Sequence, residues 1–217
     1  ITSLVACIMQ VVMNNSLVCY GNQTEITGDV ALSAMGIVMK IAMILASVCI
    51  GFGIGAQPIL GFNLGAKKYT RVRHTYLLAV SIATGSILIG WAVCQLAPHL
   101  VLSLFGKENQ TFTDFAVRCL RIYLGGIFCA GFQIVSTNYF QATGQPLKAS
   151  LLSMLRQLIL LIPLLLILPL FFGLNGLLYA GPCADIGSAV IVALFILPEM
   201  RKLNRRIAES QGPALAA

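Results

Sequence analysis

The feature that most limits this chain is a succession of six long apolar stretches, at about 1–20, 30–56, 75–105, 115–140, 149–172 and 175–198. A helix rises about 1.5 Å per residue, so roughly 20 apolar residues cross about 30 Å of hydrocarbon. Every stretch reaches that length. Transmembrane barrels show ten-residue segments of alternating polarity instead, so the stretches read as helices. The connections carry turn chemistry, as in Gly21-Asn22-Gln23, 61–66, 106–109, Thr143-Gly144-Gln145-Pro146 and Gly173-Leu174-Asn175-Gly176. Composition agrees: the chain of 217 residues is 58% hydrophobic and 10% charged, against about 25% charged in soluble domains. So few charges cannot coat a compact body in water. A soluble domain, a disordered chain and a secreted disulfide scaffold are excluded. The expected fold is all-α: a polytopic transmembrane six-helix bundle over residues 1–217, surrounded by lipid, with a basic tail at 199–217.

Charge placement gives an orientation. One side collects Lys67, Lys68, Arg71, Arg73, Lys148, Arg156, Arg201, Lys202, Arg205 and Arg206. The other has Lys107, Arg118 and Arg121, with Glu25, Asp29, Glu108 and Asp114. Ten basic residues against three put the first side, and the C-terminus, in the cytoplasm. Topology thus accounts for the net charge of +7 without a nucleic-acid partner. Two Asn-X-Thr triplets, at Asn22 and Asn109, fall on the outer side. The first stretch opens at Ile1 with no basic flank, which leads us to expect that the chain starts inside a helix and that a preceding portion is missing.

In lipid, the informative residues are the polar ones at membrane depth, because they cost free energy unless they face protein or water. Ser3, Gln10 and Asn14 share one face of the first helix; interhelical hydrogen bonding and a cavity are both open readings. Lys40 and Asp185 each lie ten residues from an expected outer helix end, about 15 Å deep. Equal depth permits a buried ion pair between them. Asp185 follows Gly181-Pro182, which is expected to break the helix and restart it, leaving the carboxylate in the first turn of a half-helix. Asp185 alone, as a protonatable group facing a cavity, is the alternative. Gln133 and Thr137 share a face of the fourth helix that Gln141 continues, a candidate pathway lining. Gly51 and Gly55 offer a flat face for helix approach, and Pro163 and Pro169 are expected to kink the fifth helix.

Chemistry is sparse. The seven cysteines form no CxxC or Cys/His cluster, so no metal site is expected. No Ser/His/Asp set, HExxH pair or Walker A loop occurs, so we assign no catalytic residue, no enzymatic activity and no cofactor. Transport driven by an ion gradient remains, with a noncatalytic membrane scaffold as the competing reading from another class.

The second junction reads Gly-Ile-Gly-Ala-Gln-Pro-Ile-Leu-Gly-Phe-Asn-Leu-Gly-Ala-Lys-Lys-Tyr-Thr-Arg-Val, residues 53–72. Further stretches are Asn15-Ser16-Leu17-Val18-Cys19-Tyr20-Gly21, Phe140-Gln141-Ala142-Thr143-Gly144-Gln145-Pro146 with Leu155-Arg156-Gln157, and residues 176–185. In order and spacing these resemble the C-terminal half of the multidrug and toxic compound extrusion (MATE) family, with the finer likeness to a bacterial branch. The resemblance implies a twelve-helix antiporter of two six-helix lobes related by a pseudo-twofold axis, of which this chain is the second lobe. It also implies export of small organic, often cationic compounds in exchange for Na⁺ or H⁺, across a bacterial inner membrane, by rocking of the lobes about a central cavity. The missing N-terminal lobe is then the partner. Gln10, Asn14 and Gln133 are expected to face that cavity, with Lys40 and Asp185 as polar support. Some family members carry acidic coupling residues in the helices that hold Gln10, Asn14 and Gln133 here, which points coupling toward the other lobe. A lipid-linked saccharide flippase of the same wider superfamily is the nearer competitor and calls for a more basic cavity.

Overall fold

A computed structural model describes residues 2–22, 28–105 and 110–211. Gln23, Thr24, Glu25, Lys107, Glu108 and Asn109 lie outside the described residues, as do the side chains of Ser3, Gln110 and Thr111. The described part is helical: α1 (Thr2–Gly21), α2 (Gly28–Gly65), α3 (Tyr69–Leu96), the short α4 (Pro98–Ser103), α5 (Gln110–Tyr123), α6 (Ala130–Ala142), α7 (Pro146–Met154), α8 (Ile162–Phe172) and α9 (Leu174–Gln211). A 3₁₀ stretch, Leu124–Cys129, joins α5 to α6, and a π-helical stretch, Leu155–Leu161, joins α7 to α8. Five continuous runs, Gly28–Gly65, Tyr69–Leu96, Phe112–Ala142, Pro146–Phe172 and Leu174–Ser210, are long and apolar enough to cross a membrane. With α1 packed on α2, they make the expected six-helix bundle.

The hub is the Phe112–Ala142 run, with 56% of its membrane window buried; those of the α2 and α3 runs are 22% and 17% buried. Its residues Leu124, Val135, Tyr139 and Phe140 lie in the core. Small residues let the hub's neighbours close in. A Cβ on Gly131 would meet the Thr84 backbone of α3 at 2.9 Å, and one on Gly126 would meet Pro182 Cα of α9 at 2.7 Å. Polar bonds fix the approach of α3: Tyr76 Oη and Ser136 Oγ lie 2.8 Å apart, and Gln95 Nε2 donates to the Arg121 carbonyl at 3.0 Å.

Helix boundaries differ from the sequence reading where prolines and glycines were given too much weight. α2 runs through Pro58 to Gly65, so residues 61–65 are helical rather than a loop. A membrane helix tolerates proline where neighbouring groups meet the freed backbone. The stop comes at Lys67, which takes the left-handed φ of 55° while Lys68 N–H closes onto the Asn63 carbonyl at 2.9 Å. The α6–α7 turn repeats this device with Gly144 (φ 74°) and a Gln145 N–H to Phe140 carbonyl bond of 2.9 Å. The expected break at Gly181-Pro182 is also corrected, because α9 is continuous with Pro182 inside it. Pro163 sits just past the π-helical stretch, whose wider turn re-pairs the Ile162 N–H with the Gln157 carbonyl. The wider turn ends directly before Pro163, which brings no N–H of its own.

Candidate functional site

One flank of α2 organises the polar groups of the bundle. Met39, Met43, Ala46, Gly53 and Gln57 follow helical spacing along it, and three clusters meet that flank at successive depths. From Met39 to Gln57 is about 27 Å of helix, close to the thickness of a bilayer's hydrocarbon core.

At the first level Gln10 Nε2 donates to Asn14 Oδ1 at 3.2 Å and lies 3.9 Å from Met39 Sδ. The shared face read from sequence is therefore real. Gln10 is exposed and Asn14 half-buried, so the face turns away from the bundle interior.

At the second level lies a cavity of about 180 Å³, walled by Met43 and Ala46 of α2, Tyr123, Ile127, Arg156 and Asp185. Here the expected partner of Asp185 is corrected. Arg156 Nε reaches Asp185 Oδ1 at 2.9 Å and Arg156 Nη2 reaches the same oxygen at 2.5 Å. Lys40 is exposed on the opposite side of α2 from the core and forms no ion pair among the described residues. The reason is directional. Depth matched Lys40 to Asp185, but the helical wheel turns Lys40 outward, whereas Arg156 lies ten residues past Pro146, about 15 Å into its own helix. Arg156 therefore leaves the cytoplasmic tally, which falls from ten to nine. The π-helical and 3₁₀ stretches both meet this pair: Arg156 is in the first, and a Cβ on Gly126 of the second would stand 3.2 Å from Asp185 Cβ. The pair joins the Pro146–Phe172 run to the Leu174–Ser210 run. The half-buried arginine compensates the buried carboxylate, and removing it leaves Asp185 uncompensated.

At the third level Gln57 Nε2 donates to Asn138 Oδ1 at 2.7 Å and to Gln141 Oε1 at 3.1 Å. Gly53 makes room for the Asn138 side chain, whose amide lies where a Cβ would stand. Gln57 and Asn138 escaped the sequence reading because Gln57 precedes a proline taken for a loop.

Gln133 and Thr137 take another role. Gln133 is buried; its Oε1 lies 3.0 Å from Ser188 Oγ, which is also 2.9 Å from the Asp185 carbonyl. Thr137 Oγ1 donates to the Gln133 carbonyl at 2.9 Å. Within this lobe Gln133 is linked to the Asp185 backbone through Ser188, while Asp185 lines the cavity beside α2. Among the described residues no cluster of His, Cys, Asp and Glu could hold a metal ion.

A profile of the MatE family matches residues 2–167. The chain is 27% identical over 194 residues to the multidrug export protein MepA of Staphylococcus haemolyticus, a match covering 88% of this chain and 40% of that protein. Its fold superposes on a multidrug resistance MATE family transporter of the MOP superfamily solved inward-facing, with a TM-score of 0.83 at 18% identity, covering 94% of this chain and 46% of that one. The outward-facing structure of such a transporter gives 0.83 at 19% identity, with 94% and 45% covered. The chain therefore spans about two-fifths of the curated relatives it matches. On the profile match, which runs from α1 into the Pro146–Phe172 run, the chain belongs to the MatE family of multi-pass membrane transporters.

Proposed function

We propose that the chain is one lobe of a bacterial inner-membrane exporter, which pairs with a second six-helix lobe and moves small organic, cationic compounds outward in exchange for Na⁺ or H⁺. The observation that carries this reading is the match over most of the chain to a protein named for multidrug export. Two further facts support it. The fold fits the inward- and outward-facing structures equally, as a lobe that rocks as a body would. The α2 flank also carries polar groups over the depth of a membrane with apolar walls between them, as a pathway for amphipathic guests needs. The basic α9 tail, with Arg201, Lys202, Arg205 and Arg206, then lies in the cytoplasm.

The test is dye efflux from proteoliposomes holding the full-length transporter that contains this chain, under an imposed Na⁺ or pH gradient. Efflux driven by one gradient and abolished by the matching ionophore is the expected result. Dye movement that ignores both gradients would overturn the reading.

A further inference from the structure

We propose that the cavity at Arg156 is a subsite for an anionic group, most simply the carboxylate of a zwitterionic organic guest. The inference rests on the transport reading above and names which part of a guest this lobe recognises.

Three observations carry it. First, both arginine bonds fall on one oxygen, Asp185 Oδ1. A guanidinium has five N–H donors in a planar fork, and the remaining donors of Arg156 have no protein acceptor among the described residues. Second, the pair presents its positive end. The Arg156 side chain is 37% exposed and that of Asp185 is 8% exposed. An entering guest meets guanidinium before carboxylate. Third, the rest of the cavity wall offers no competing negative charge. Met43, Ala46, Ile127 and Leu161 are apolar, and Asp185 is the one acidic residue among those lining it. A purely cationic guest gains nothing here. A carboxylate gains charge-assisted bonds from the unused edge of Arg156.

The experiment compares two dyes that differ by one group, a rhodamine with a free carboxylate and its ethyl ester, bound to the full-length transporter and read by fluorescence anisotropy. The readout is the ratio of the two affinities. The wild type should favour the carboxylate dye, and Arg156→Gln should lower that preference about tenfold, with Arg156→Lys falling between because it keeps charge but loses the fork. Asp185→Asn frees the guanidinium and should raise the preference. The Arg156→Gln/Asp185→Asn double variant removes both charges, so no lone buried ion threatens its folding, and it should match Arg156→Gln. A ratio that stays constant across the set overturns the subsite. Gradient-driven efflux of the ester dye by the wild type reports on the transport reading separately, so either idea can fail without the other.

Discussion

Two glycine-bearing regions of this lobe differ in what they touch. Along the seam between α9 and the 3₁₀ stretch, a Cβ on Gly126 would stand 2.7 Å from Pro182 Cα and 2.9 Å from its carbonyl oxygen. On the outward face of α2, Gly36, Gly51 and Gly55 have nothing within 4 Å. Each region also holds a cation: Arg156 near the seam is paired, and Lys40 on the open face is not. The same residue types therefore do opposite work. Inside the seam they permit contact and carry the energetics of the fold. On the open face they meet nothing among the described residues and cost little to change within this lobe.

The contrast can be broken at the seam first. Arg156→Ala leaves Asp185 buried and uncompensated, and we expect a loss of about 3–5 kcal/mol in the unfolding of the full-length transporter in mild denaturant. A loss under 1 kcal/mol would mean that water reaches the aspartate freely. Gly126→Ala should cost about 1–3 kcal/mol by overpacking against Pro182, read in the same assay. If it is neutral, the seam yields more readily than its distances imply. Ser188→Ala strips the partner from buried Gln133 Oε1 and should cost about 1 kcal/mol. An unchanged midpoint there would show that the amide finds another donor. Smallest of all, Gly51→Ala on the open face should stay within about 0.5 kcal/mol, with a slight gain possible from helix propensity. A loss comparable to that of Gly126→Ala would show that the open face is packed after all, and the comparison would collapse.

The bundle was legible from sequence because lipid imposes one length and one polarity on every span. Orientation of side chains around those spans was not. Lys40 and Asp185 are ranked equal by depth, and only the helical wheel taken with the neighbours of α2 separates them. Arg156 was hidden by its place at the edge of a basic loop, although ten residues of helix precede it from Pro146. Pro182 looked like a break and Gln57 like part of a loop for one shared reason: a proline removes one backbone donor, yet α9 runs on through Pro182 and α2 through Pro58. Gln10 and Asn14 were placed on one face correctly, since an i,i+4 pair needs nothing beyond its own helix. The side-chain partner of Gln133 could not be read in this way, since Ser188 is 55 residues away.

A double-mutant cycle tests the centre of this account most directly. Arg156→Gln, Asp185→Asn and their combination are compared by unfolding of the full-length transporter, beside the same cycle built on Lys40→Gln. The account predicts strong coupling between positions 156 and 185, with the double variant recovering much of the stability lost by either single change, and additivity between 40 and 185. Additive effects at 156 and 185, or coupling that appears at Lys40 instead, would contradict it.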